Sequence, residues 1–127
     1  MERPVHVLRL RHRREFLAVA ADGRRVAKPS FTLQVGPRPD GEAPVIGVGF
    51  TASRKVGNAV ARNRAKRRLR EAVRQSAPNA TPRHDYVVVA RTDVLRQDFA
   101  ALVHDLADAF ARAPAVRPRP FRTRAKR

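Results

Sequence analysis

Apolar and polar positions along this chain recur with two different periods, and the points where the period changes mark out its elements. Over residues 30–35 the period is two, with Phe31, Leu33 and Val35 on one face and Ser30, Thr32 and Gln34 on the other. That alternation predicts a strand buried on one side. Residues 45–51 repeat it, setting Ile46, Val48 and Phe50 against Val45, Gly47, Gly49 and Thr51. Residues 85–91 differ, because Tyr86 to Ala90 is apolar without a break, the pattern of a strand covered on both faces. A further short strand fits residues 24–28, and Pro29 places it at an edge or an end, since proline cannot donate to a ladder.

The helical period appears three times. In residues 13–22, Phe16, Val19 and Ala20 lie at i, i+3 and i+4, and Gly23 supplies a stop. Residues 98–112 place Phe99, Leu102, Val103, Leu106 and Phe110 on one stripe and turn His104, Asp105 and Asp108 away. The third helix starts near Ala59 after a Gly57-Asn58 turn, with Asn58 as its N-cap. Its apolar stripe of Ala61, Ala65, Leu69, Ala72 and Val73 is narrow, and Asn63, Arg64, Lys66, Arg67, Arg68, Arg70 and Arg74 fill the remaining arc.

The predicted architecture is α+β: helix, three strands, basic helix, strand and helix around one central sheet. Residues 36–44, GPRPDGEAP, read as a turn-rich hairpin loop between the second and third strands. Residues 1–9 read as a loosely held basic arm, residues 10–112 as the folded domain, and residues 113–127, rich in proline and arginine, as a disordered basic tail. A chain of 127 residues suits one domain.

Charge changes the reading of the third helix. The chain carries 28 Lys and Arg against 11 Asp and Glu, a net +17, and charge of that size speaks of partners and not of fold. A solvated helix face ordinarily mixes signs, yet within this helix only Glu71 is acidic. Like charges three and four apart repel unless an anion neutralises them, so a polyanion is the economical partner. A membrane surface is the poorer fit, because the core consumes the thin apolar stripe. With no cysteine, disulfides and thiolate metal sites are excluded. No apolar run approaches a bilayer span and no secretory signal is visible, so the cytoplasm is the expected location.

The segment SRKVGNAVARNRAKRRLRE closely resembles the signature of the bacterial ribonuclease P protein subunit. Ser53, Lys55, Gly57, Asn58, Ala59 and Val60 run in unbroken register into Arg62, Asn63, Arg64, Lys66, Arg67 and Arg70. A looser likeness extends from about Leu10 to Phe110. The resemblance implies a left-handed strand-helix-strand crossover around the basic helix, against the usual right-handed rule. It also implies a partner RNA that uses magnesium to cleave precursor tRNA at the mature 5′ end. Arg54, Lys55, Asn58, Arg62, Asn63, Arg64, Lys66, Arg67 and Arg70 would then face the catalytic RNA, and Phe16, Thr32, Gln34 and Thr51 would line the cleft for the single-stranded leader.

Two readings of that second group are open from the residues themselves. The polar and glycine face of Ser30, Thr32, Gln34, Gly47, Gly49 and Thr51 suits a flat shelf for a nucleic acid strand, or else a thinly covered sheet under the first helix. Phe16 on such a helix face is more commonly core than a stacking platform. Where many relatives of this family have an aromatic four residues after the first Phe the chain has Ala20, and where many have one on the central strand it has Gln34. Leader contacts then shift from stacking toward hydrogen bonding.

A protein-borne active site is not expected. The acids Asp85, Asp93, Asp98, Asp105 and Asp108 are scattered, the four histidines lack ligand spacing, and His104 with Asp108 reads as a surface pair. No phosphate-binding loop is present, so neither a small-molecule substrate nor a protein-bound cofactor is implied. The rival readings are a ribosomal or ribosome-assembly protein with similar electrostatics and a protein nuclease.

Overall fold

The computed structural model describes residues 6–38 and 45–118. Three helices and five strands appear in it. The chain runs β1 (His6–Arg9), α1 (Arg13–Asp22), β2 (Arg24–Ala27), β3 (Phe31–Pro37), β4 (Val45–Ala52), α2 (Ala59–Ser76), β5 (His84–Ala90) and α3 (Phe99–Arg112), with 3-10 turns at Ala77–Asn79, Thr92–Leu95 and Ala113–Ala115. The strands form one mixed sheet in the order β1-β4-β5-β3-β2. β5 sits in the middle, parallel to β4 and antiparallel to β3, as an uninterrupted apolar run requires.

Alternation along β5 splits the interior in two. Tyr86, Val88 and Ala90 join Phe31, Leu33, Val35, Ile46 and Val48 in the main core, which α2 and α3 cover with Ala65, Leu69, Ala72, Val73, Leu102, Leu106 and Phe110. Tyr86 meets Phe110 edge to face at 4.9 Å, and its buried hydroxyl donates to the Thr81 carbonyl oxygen while accepting from the Thr81 amide. On the opposite face Val87 and Val89 meet only Leu10 and the α1 residues Phe16 and Val19. One face is therefore a full core and the other a partial one.

Three expectations are corrected. Residues 6–9 are a strand and not a loose arm: β1 pairs in parallel with β4, from His6 opposite Val45 to Arg9 opposite Val48. The sheet thus has five strands where four were predicted. β3 and β4 do not form a hairpin, because β5 is inserted between them; most of the connecting segment, residues 39–44, lies outside the described residues. The start of the expected tail is also ordered, since Ala113 is fully buried and the Pro114 carbonyl accepts from Arg24 Nη1 at 2.9 Å. Residues 119–127 of that tail lie outside the described residues.

Local chemistry explains the helix ends. Glu15 closes a capping box on α1 by accepting from the amides of Arg11 and His12 at 3.0 and 2.9 Å, and the left-handed Gly23 (φ 88°) ends that helix. Asp98 caps α3 through the Ala101 amide at 3.1 Å.

Candidate nucleic-acid interface

α2 is entered through a tight corner. The Ser53 carbonyl and hydroxyl accept from the Val56 and Lys55 amides at 3.1 and 3.2 Å, and Gly57 then takes φ 147°, a backbone state open to glycine. Asn58 caps the helix as expected, its Oδ1 accepting from the Ala61 amide at 2.9 Å. The corner leaves Arg54, Lys55 and Asn58 exposed beside the positive end of the helix dipole.

Beyond it the helix buries Ala65, Leu69, Ala72, Val73 and Ser76 and turns the rest outward. Asn63, Arg64 and Arg67 are exposed, while Arg62, Lys66 and Arg70 are half-buried on one flank. At 100° per residue Arg62, Lys66 and Arg70 share that flank, and Arg70 lies beside Val7, Val48 and Val73 near the β1 edge. Among the described residues the cations in ion pairs are Arg24, Lys28, Arg38, Arg74 and Arg112. Of these only Arg74 belongs to α2, held by Glu71 at 2.7 Å. Arg62 Nη1 reaches the Gly57 carbonyl at 3.2 Å. The structure therefore gathers all nine predicted positions on α2 and its entrance, and among the described residues no carboxylate pairs with any of them.

Arg68 departs from the outward arc. Its Nη2 donates to the Gln97 carbonyl and its guanidinium stands 5.6 Å from the centre of the Phe99 ring, so it ties α2 to the start of α3.

The second predicted group also assembles on one face. Pairing sets Thr51, Val89 and Thr32 in one row across β4, β5 and β3, and Gly49, Val87, Gln34 and Arg25 in the next. Phe16, Thr32, Gln34 and Thr51 are all half-buried there. The broad glycine shelf, however, is not open. A β-carbon at Gly49 would stand 2.5 Å from the Phe16 ring, and one at Gly47 would collide with the Asp85 carboxylate and lie 2.7 Å from Leu10. The glycines make room for α1 and a partly buried ion pair, Asp85 with Arg38 at 2.8 Å, and not for a nucleic acid backbone. Ser30 leaves the shelf as well, fully buried with its hydroxyl bonded to Gln97. What stays accessible is a narrower strip between the edge of α1 and β2.

Val89 at the centre of this strip and Arg25 at its far end were missed. Val89 was hidden in an apolar run, though alternation from the buried Val88 would have placed it opposite the main core. Arg25 had no signal until its register with Gln34 was known.

Among the described residues no three His, Cys, Asp or Glu side chains lie close enough to hold a metal. Asp108 pairs with Lys28 at 2.7 Å and Arg112 at 3.1 Å rather than with His104, and both bonds hold its carboxyl below the usual range. No helix among the described residues is long and apolar enough to cross a membrane.

Known proteins share this arrangement. The family described as Ribonuclease P matches residues 6–114. The ribonuclease P protein component of Paramagnetospirillum magneticum is 47% identical over 111 residues, covering 85% of this chain and 84% of its own. That of Ruegeria pomeroyi is 49% identical, covering 86% and 88%. Among solved structures, the RNase P protein from Thermotoga maritima superposes with a TM-score of 0.70 at 28% identity, covering 82% of this chain and 96% of that one. The RNase P protein from Staphylococcus aureus gives 0.61 at 25% identity, covering 80% and 90%.

Proposed function

The chain belongs to the Ribonuclease P protein family, and on that premise we propose that it holds two RNAs at once, the catalytic RNA on α2 and the leader of precursor tRNA on the open strip of the sheet. The observation that carries this reading is the cationic arc of α2, which no carboxylate of the described chain neutralises apart from the Glu71–Arg74 pair. Arg62, Arg64, Lys66, Arg67 and Arg70, with Arg54 and Lys55 at the entrance, supply phosphate contacts, while Asn58 and Asn63 add hydrogen bonds. Phosphate contacts of this kind fix position more than sequence.

The leader strip works differently. Phe16 offers the edge of a ring that is already packed over Gly49, and Thr32, Gln34 and Thr51 offer hydroxyl and amide groups to base edges and 2′-hydroxyls. Arg25, one strand beyond Gln34, is placed to meet a leader phosphate. Hydrolysis would then fall to the catalytic RNA, and magnesium held by that RNA would supply the Lewis-acid chemistry. This chain's residues orient the substrate and offset the repulsion between two polyanions, and the reaction is cytoplasmic.

Adding the purified protein to a catalytic ribonuclease P RNA at low magnesium tests the proposal. Stimulated cleavage of precursor tRNA supports it. Absence of stimulation with tight binding to ribosomal RNA would move the protein to ribosome assembly, and cleavage without added RNA would make it a nuclease.

A further inference from the structure

The cationic arc of α2 is wider than one RNA surface requires. At 100° per residue Arg62 and Lys66 fall on one flank and Arg64 and Arg68 on the other, while Arg70 and Arg74 border both the groove on the β1 side and the cavity on the α3 side. On the α3 side lies a cavity of about 630 Å³, of which the phosphate contacts proposed above use only rim cations and leave the wall unassigned. Its rim carries Arg64, Arg67, Arg70 and Arg74, and its apolar wall is made by Leu95 and Phe99, with the Arg68 guanidinium 5.6 Å from the centre of the Phe99 ring. Arg68 is anchored by the Gln97 carbonyl, yet its buried Nε–H has no acceptor.

Phosphates of a duplex would account for the rim but not for the wall. A guanidinium beside an aromatic ring, flanked by leucine and surrounded by arginines, matches the two halves of a nucleotide. Unstacked bases settle on aromatic or guanidinium planes, and their phosphates take the surrounding cations. Glu71, which also lines the cavity, is an acceptor suited to a base edge that carries N–H donors.

We propose that this cavity seats one unpaired nucleotide of the RNA bound by α2, its base against Arg68, Phe99 and Leu95 and its phosphates on Arg64 and Arg67. The inference rests on the reading of α2 as the catalytic-RNA face. α2 is then gripped on two sides, by backbone contacts on one flank and by an extruded base on the other, which fixes its rotation as well as its position.

The chain contains no tryptophan, so Phe99→Trp installs a single local reporter, and Leu95→Trp a second one in case the first perturbs folding, as judged by circular dichroism. Each is titrated with labelled oligoadenylate of twelve nucleotides, with a twelve-pair RNA hairpin and with the catalytic RNA, following bound fraction by anisotropy. The expected result is at least two-fold quenching of the tryptophan by oligoadenylate and by catalytic RNA, with little change from the hairpin at equal bound fraction. Bound RNA with no quenching, or equal quenching by hairpin and single strand, overturns the cavity assignment while leaving α2 as an RNA face. Failure of the catalytic RNA to bind at all would instead overturn the reading of α2, and the cavity assignment with it. A Phe16→Trp reporter in the same titration separates occupancy of the leader strip from occupancy of the cavity.

Discussion

α2 and α3 cover the same face of the same sheet and bury equivalent stripes, yet they dispose of their charge in opposite ways. α3 settles its charges within the chain: Asp108 pairs with Lys28 and Arg112, Asp105 accepts from Gln97 at 2.9 Å, and Asp98 caps the helix. α2 leaves Arg64, Lys66, Arg67 and Arg70 with no ion-pair partner among the described residues. Packing made both helices necessary to the fold. Only one of them carries a cost that a polyanion removes, since like charges three and four apart destabilise a helix by a few tenths of a kcal/mol per pair. The contrast separates a helix whose charges are met within the described chain from one whose charges are not.

The largest expected effect tests the shared half of the comparison. Leu69→Ala on α2 and Leu106→Ala on α3, both fully buried, should each lower unfolding free energy by about 2–5 kcal/mol in urea titrations. A large loss from one and none from the other would show that the helices do not share one core.

Gly49→Val probes the thin side of the sheet and should cost about 1–3 kcal/mol, because the new side chain meets the Phe16 ring and α1 must shift. Strand propensity alone would have predicted a tolerated change. A melting temperature equal to wild type would mean that the ring swings aside freely and that the strip is broader than described. Phe16→Ala should reduce affinity for leader-bearing over leaderless precursor, with stacking worth about 1–3 kcal/mol per base, and should also lower the melting temperature, since the ring packs against Val87 and Leu10. Equal loss for both RNAs would remove the leader from this face.

Low pH sharpens the comparison with the smallest effect. Asp22 is held below its ordinary value of 3.8 by its hydrogen bond to Arg24, and Asp108 likewise by Lys28 and Arg112. A depressed folded value means stability that is present above the unfolded value and is lost as pH falls through the folded one. Melting temperature should therefore drop below about pH 4 in wild type and drop less in Asp22→Asn or Asp108→Asn. An unchanged acid limb in both variants would show that these pairs do not contribute.

Much of this was legible in the chain. α1 and the apolar stripes of α2 and α3 follow from local period and capping, because those interactions span a few residues. Non-local pairing did not follow. β1 has no buried side chain and exists through its parallel ladder with β4, which no local pattern encodes. The same limit hid the insertion of β5 between β3 and β4. Gly47 and Gly49 announced a close approach, but only the fold says that Phe16, Leu10 and Asp85 are what approach. Arg68 looked like its neighbours until its bond to Gln97 set it apart.

If the chain meets the catalytic RNA through α2 and not through net charge alone, two single-cation variants should differ. Arg67→Ala and Arg112→Ala each remove one exposed cation, the first from the unpaired arc, the second from the internally paired α3. Affinity for the catalytic RNA measured across a salt series decides between them. A flattening of the log affinity against log salt slope by roughly 0.7–0.9 for Arg67→Ala, with wild-type slope for Arg112→Ala, is the predicted result, as each phosphate contact made releases that share of counterions and its loss removes it. Equal slopes for the two variants would contradict the account.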